Sequence, residues 1–243
     1  MPSSADPGRT LAGQSAVVTG GSRGIGRAVA RRLGAAGVRV VLVARGSPAL
    51  EQAAAEAGGT ALAADVTVET SVDRMADRVR SDFGRAPDIL VNAAGAFDLA
   101  SVARTATEEF DREIGTNLRG PFLMMRAFLP DMLERGSGHI VTLGSVAGRV
   151  AMPGNAAYAA SKFGVRGLHA VLDLELRGTG VRSTLIEPAA TDTPLWDAVD
   201  RAAVPDLPDR TLMLDADAVA DAVIWALTRP AATAVRTIAL ERA

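Results

Sequence analysis

Short runs of β-branched and aliphatic residues alternate along the chain with longer stretches rich in alanine, leucine and arginine. Ser15 to Thr19, Arg39 to Ala44, Thr60 to Ala64, Asp88 to Asn92, His139 to Gly144, Val181 to Ile186 and Arg236 to Leu240 are mostly near-continuously apolar, as strands covered on both faces are. Between them Gly24 to Ala36, Pro48 to Ala57, Glu69 to Phe83, Thr107 to Leu133, Ala156 to Arg177 and Asp215 to Leu227 read as helices, with Gly37, Gly58 and Gly178 at C-cap positions. The alternation predicts an α/β fold, a doubly wound sheet of about seven parallel strands with helices on both faces. Such a sheet has one topological switch point, and its ligand crevice lies at the carboxyl ends of the strands. One domain over residues 13–243 accounts for the pattern, after a flexible lead over residues 1–12. The long segment without periodicity, residues 188–214 with Pro194, Pro205 and Pro208, reads as a lid over the crevice.

Composition narrows the classes. The chain has 243 residues, 48% of them hydrophobic, enough to bury a substantial core. Lysine and arginine total 26 against 28 acidic residues, a net charge of −2, so no basic field draws it to nucleic acid or an anionic membrane. The absence of cysteine removes disulfides, thiolate nucleophiles and sulfur-ligated zinc. His139 and His169 lack metal-type spacing, so no metal is expected. There is no signal-type apolar run at the start, and nothing approaches the roughly 18 apolar residues of a membrane span. These features predict a cytoplasmic protein.

The first strand runs directly into Gly20-Gly21-Ser22-Arg23-Gly24-Ile25-Gly26 and then into a helical pattern. A strand-to-helix turn of this kind presents unpaired helix N–H groups to anionic oxygens. Gly20 permits the tight turn, Gly24 the close approach of a pyrophosphate, and Gly26 the packing of helix on sheet. That is the chemistry of a Rossmann-like dinucleotide site, in the spacing T-G-x-x-x-G-x-G. The same residues also match G-x-S-x-G, the elbow of a serine hydrolase with Ser22 as nucleophile, but neither histidine falls in the late loop that reading needs. At the end of the second strand stands Arg45, where preference for an unphosphorylated ribose would place an acid. With Arg23 it offers two cations for a 2′-phosphate, so NADP(H) is expected over NAD(H). The alternative for Arg45 is a solvated surface arginine.

Ser145 follows an apolar run and belongs at a strand's carboxyl end. Tyr158 and Lys162 are four apart on a helix and share a face. Redox exchange at a carbonyl leaves a proton to be managed at oxygen, and a phenol near pKa 10 is a poor base at neutral pH. A neighbouring ammonium lowers that value, and Ser145 can hold the substrate oxygen beside Tyr158.

With Asp65-Val66 after the third strand, Asn92-Ala93-Ala94-Gly95 after the fourth, Asn117, and Pro188 followed by Thr193, these motifs resemble, in order, the short-chain dehydrogenase/reductase family of the small single-domain type. The resemblance runs from Gly13 to the C-terminus. It implies that Tyr158 is the acid/base, that Ser145 orients substrate, and that Lys162 lowers the tyrosine pKa and bonds the nicotinamide ribose. It implies that the Asn117 backbone carbonyl holds a water linking Lys162 to solvent. Asp65 and Val66 then lie at the adenine edge, Asn92 on the adenosine-ribose side, and Thr191 and Thr193 near the carboxamide and phosphate. The family often has glycine where Ala189 stands. It also commonly continues past the last strand, so a homodimer through the long central helices is expected alongside the homotetramer of many relatives.

Phe97, Val146, Met152, Leu195, Trp196, Val204 and Met213 are the candidate substrate wall, mostly apolar, suited to a small carbonyl or secondary alcohol on an aliphatic or aromatic body. The same residues could simply pack the lid. The function expected is an NADP(H)-dependent oxidoreductase working in the ketone-reducing direction. The alternatives are a dinucleotide-binding regulatory module without chemistry, and the Ser22 hydrolase.

Overall fold

A computed structural model of the chain describes residues 10–197, 199, 207 and 209–243. Most of the proposed N-terminal lead and Val204 of the substrate wall lie outside the described residues. Seven strands form one parallel sheet in the order β3-β2-β1-β4-β5-β6-β9. They are β1 (Ser15–Thr19), β2 (Arg39–Ala44), β3 (Thr60–Ala63), β4 (Ile89–Asn92), β5 (Gly138–Leu143), β6 (Val181–Pro188) and β9 (Thr237–Leu240). The strand order reverses between β1 and β4, so the crevice opens beyond Thr19 and Asn92, which are register partners.

Alternation along each strand divides the core in two. Ala16, Val18, Val40, Leu42, Ile89 and Val91 face helices α1 (Gly24–Ala35), α2 (Pro48–Ala57) and α7 (Ala216–Leu227). Val17, Val41, Val43, Leu90 and Ile140 face α3 (Glu69–Phe83), α5 (Gly120–Arg135) and α6 (Ala156–Glu175). Local chemistry sets the helix ends. The Ser47 hydroxyl accepts from the Leu50 N–H ahead of α2, and the Asp215 carboxylate accepts from the Asp217 N–H ahead of α7. Gly37, Gly58 and Gly178 take positive φ as the sequence expectation requires.

One expectation is corrected. The single helix from Thr107 to Leu133 is instead α4 (Thr107–Ile114), a π turn over Gly115–Arg119, and α5. The reason is Pro121, which has no N–H to give the carbonyl four residues back, that of Asn117; the Gly120 N–H reaches instead to Gly115. The 188–214 segment, of which Pro205 and Pro208 lie outside the described residues, has short elements in its described part. It carries β7 (Thr191–Asp192), paired in parallel with β8 (Leu214–Asp215), and 3₁₀ turns at Pro194–Trp196 and Arg210–Leu212.

Phe128 of α5 is fully buried in the second core and receives the Arg80 guanidinium over its ring at 5.7 Å. Phe128→Ala should destabilise the fold by about 3–5 kcal/mol, read as a lowered urea midpoint at unchanged slope.

Candidate active site

The glycine turn is built for close backbone approach. A Cβ on Gly20 would stand 2.7 Å from the Ala93 carbonyl oxygen, and one on Gly26 would overlap the Gly20 carbonyl. Gly24, at φ +54°, lies beneath Thr193, so that residue rests on the turn. The first turn of α1 has no side-chain cap and no acidic residue, which leaves its N–H groups to an anion. Arg23 and Arg45 are exposed, and neither has an ion-pair partner among the described residues.

Thr19, whose role the sequence reading did not assign, joins the two glycine-containing loops. Its hydroxyl accepts from the Ala93 and Ala94 N–H groups at 3.1 and 3.2 Å. Asn92 is 2% exposed, yet neither its amide nitrogen nor its oxygen has a protein partner. A buried amide left so is costly unless something else satisfies it. That orphaned group, the uncapped helix terminus and the unpaired guanidiniums fit a bound dinucleotide. Asp65 turns back on itself instead. Its Oδ1 accepts from the Thr67 N–H and hydroxyl, which hold its pKa below the usual value with some help from Arg45. Val66 is buried and packs against Gly120.

Ser145, Tyr158 and Lys162 are brought together. Ser145 follows β5 and accepts from the Ala147 N–H, and its hydroxyl acts on the Tyr158 phenol to lower that group's pKa. Lys162 is 5% exposed; its Nζ donates to the Leu143 carbonyl at 2.8 Å and lies 5.5 Å from the centre of the Tyr158 ring. Asn117 sits in the π turn with its side chain fully used. Its Oδ1 accepts from the Ala96 N–H, and its Nδ2 donates to the Ala96 carbonyl and to the Ser161 hydroxyl.

The electrostatics differ from the sequence expectation. Burial pushes the Tyr158 phenol up to about 12, against the hydrogen bond from Ser145 and with the charge of Glu113 adding to the rise. Burial takes Lys162 down to about 8. On the protein's own groups, then, Tyr158 is not a lowered-pKa base: dehydration outweighs the pull of Ser145. Glu113, absent from the sequence reading, is 0% exposed, and burial pushes it up to about 7.

The substrate wall is partly assembled. Phe97 packs edge-on against both Tyr158 and Trp196, with ring centres 4.8 Å apart in each pair. Trp196 donates from Nε1 to the Thr191 carbonyl. Leu195 and Val146 are half-buried nearby in sequence, Met213 is buried, and Met152 is exposed, outside this aromatic row. Ala189 is accommodated without positive φ and donates its N–H to the Leu240 carbonyl. Nothing supports Ser22 as a nucleophile. His139 lies at the amino end of β5, bonded to Thr184, and His169 is buried within α6.

A family model described as short chain dehydrogenase matches residues 14–203. The chain belongs to the short-chain dehydrogenase family. It is 36% identical over 93% of its length to an uncharacterized oxidoreductase of Staphylococcus epidermidis, covering 95% of that protein. It is 41% identical to D-threitol dehydrogenase of Mycolicibacterium smegmatis, over 77% of this chain and 75% of that one. Among solved structures, a metagenomic short-chain oxidoreductase in complex with NADP superposes with a TM-score of 0.83 at 32% identity, covering 97% and 99% of the two chains. No described helix of this dehydrogenase is long and apolar enough to cross a membrane, and no described cluster of ligating side chains could hold a metal ion.

Tyr158 is the only tyrosine in the dehydrogenase, so phenolate absorbance reports it alone. Its alkaline titration should centre at about 12, above the ordinary 10.0. The folded chain then binds the proton more tightly than the unfolded one, so this group's share of stability is full below pH 10 and lost as pH rises through about 12. An inflection at the ordinary value would mean a solvated hydroxyl.

Proposed function

We propose that the protein is an NADP(H)-dependent oxidoreductase interconverting a carbonyl and a secondary alcohol, working toward the alcohol with Tyr158 as proton donor. One observation carries the reading: the Tyr158 ring packs on Phe97 with the buried Lys162 Nζ 5.5 Å from its centre and Ser145 beside it at the end of β5, where burial holds the proton on the phenol. A reduced carbonyl develops negative charge on oxygen, and a held acid with an adjacent hydrogen-bond donor lowers that barrier. In the oxidising direction Tyr158 must first lose its proton, which burial opposes. The nicotinamide, when bound, supplies the hydride.

The chain's own residues do the rest. Gly20, Gly21, Ser22, Gly24, Ile25 and Gly26 offer backbone to the pyrophosphate at the uncapped end of α1. Arg23 and Arg45 take the 2′-phosphate. The lack of an acid at the end of β2 supports NADP(H) over NAD(H), as does the neighbour solved with NADP. Asp65 and Val66 border the adenine, while Asn92, in the stretch leading to Ala93, Ala94 and Gly95, satisfies its amide on the adenosine ribose. Lys162 holds the nicotinamide ribose, and Asn117 positions the relay water through its backbone. Pro188, Thr191 and Thr193 carry the nicotinamide end, on a lid spanning 188–214. Phe97 and Trp196 favour an apolar or aromatic carbonyl compound.

Tyr158→Phe should cut turnover by about 10²–10⁴-fold while leaving dinucleotide affinity near wild type, followed by nicotinamide absorbance against a panel of ketones and by fluorescence titration. Full activity in that variant overturns the assignment. Arg45→Asp should weaken NADPH about tenfold relative to NADH, and an unchanged preference removes Arg45 from the phosphate site.

A further inference from the structure

Among the described residues Glu113 is the one fully buried carboxylate with no part in the proposed chemistry. Glu187, the other acid with almost no exposure, is neutralised by Arg166 at 2.5 Å and Arg149 at 3.3 Å. Glu113 has no such partner. Its Oε1 accepts from the Asp98 N–H at 2.7 Å, and its buried Oε2 is unpaired. Arg112, its neighbour on α4, is ion-paired with Asp98, and its charge still draws the Glu113 pKa down against burial. Glu109, one turn earlier, adds negative charge and accepts from the Ala106 N–H. From α6 the facing charge is Lys162, and the Tyr158 phenol feels Glu113 as well. Glu113 also lines a cavity of about 10 Å³ with Asp98, Thr105, Glu109, Ala156 and Ala157, at the start of the helix that carries Tyr158. That is room for about one water.

We propose that Glu113 is a positioning residue for the proton chemistry of this site, a buried carboxyl that acts through its field on Tyr158 and Lys162 and keeps both protonated. The inference rests on the oxidoreductase reading and deepens it. An anion at Glu113 disfavours a second negative charge on the Tyr158 oxygen and favours the positive charge on Lys162. Both effects keep the site loaded as an acid, which suits carbonyl reduction and penalises alcohol oxidation. The carboxyl itself ionises near neutrality, at about 7, so the bias strengthens as pH rises and solvent protons become scarce. Among the described residues no side chain ion-pairs with Glu113 as Arg166 and Arg149 do with Glu187, although the charges of Arg112 and Lys162 act on it and oppose part of the rise that burial causes.

The test needs neither dinucleotide nor substrate. Phenolate absorbance of the single tyrosine is read after rapid alkaline pH jumps, ahead of unfolding, in wild type, Glu113→Gln and Glu113→Asp, with circular dichroism checking the fold. E113Q should move the Tyr158 inflection down by about one unit from wild type, while E113D, which keeps the charge, should retain most of the elevation. An unmoved inflection in folded E113Q, or an equal fall in E113D, overturns the proposal. Should E113Q not fold, carbon NMR of carboxyl-labelled glutamate in wild type decides. One carboxyl titrating near 7 that is lost in E113D supports the assignment, and glutamates all titrating in the ordinary range refute it. Failure of the oxidoreductase reading would appear separately, as absence of NADPH binding in wild type.

Discussion

The site depends on one hydrogen bond, from the buried Lys162 ammonium to the carbonyl of Leu143. Leu143 is the last residue of β5, where a strand carbonyl has lost its ladder partner and, buried, must be satisfied another way. Lys162 satisfies it from α6, and in doing so fixes the rotation of that helix about its own axis. Tyr158 stands one turn earlier on the same face, and Ser145 two residues beyond the carbonyl, so the single contact sets the phenol against the serine. Gly148 completes the lock. A Cβ there would come within 2.7 Å of the Lys162 carbonyl, so the 3₁₀ turn after Ser145 lies directly on α6.

Holding a cation by a neutral carbonyl has an electrostatic consequence. The carbonyl dipole replaces part of the lost hydration but not all of it, which is why the lysine falls to about 8 rather than rising as a paired ammonium does. The phenol beside it rises for the same reason. The pair therefore differs from a simple lysine-activated tyrosine: dehydration dominates, and the counter-charge comes from Glu113 on a different helix. A positively charged nicotinamide brought into the same dry space would shift the balance the other way, so the direction of proton flow is set jointly by what the chain buries and what it binds.

Much of this was legible in the sequence, because the features that betray it are local. Strand runs, glycine caps and the four-residue spacing of Tyr158 and Lys162 each follow from backbone periodicity alone. The π turn was missed, although Gly115, Gly120 and Pro121 carried its signal, because an uninterrupted apolar face on either side reads as one helix. Glu113 was missed because an acid inside a helical pattern is normally a solvated one; only the packing of the loop after β4 onto α4 removes its water. Thr19 was quoted within a motif without a role, since its partners, the N–H groups of Ala93 and Ala94, are distant in sequence. The small β7–β8 pair, two residues on each side, leaves no period to detect.

The segment between β6 and α7 ties the two halves of the crevice together. Thr193 lies over Gly24 at the glycine turn, and three residues on Trp196 stacks edge-on against Phe97, which in turn touches Tyr158. Arg210 clips this stretch from outside, donating to Asp192 at 2.6 Å, Asp197 at 2.7 Å and the Thr193 carbonyl at 3.1 Å. Those ion pairs are exposed, and exposed pairs contribute only about 0–1 kcal/mol each. The clip therefore defines a geometry without holding it rigidly, whereas the contacts beneath it, backbone at Gly24 and aromatic edges at Phe97, are short-range and steep. Thr193 at the glycine turn and Trp196 at the aromatic wall are joined by a single 3₁₀ turn, so the two ends of this stretch share one short run of backbone. The rigid parts of this stretch are thus built from backbone and aromatic edges, and the yielding part from solvated charge.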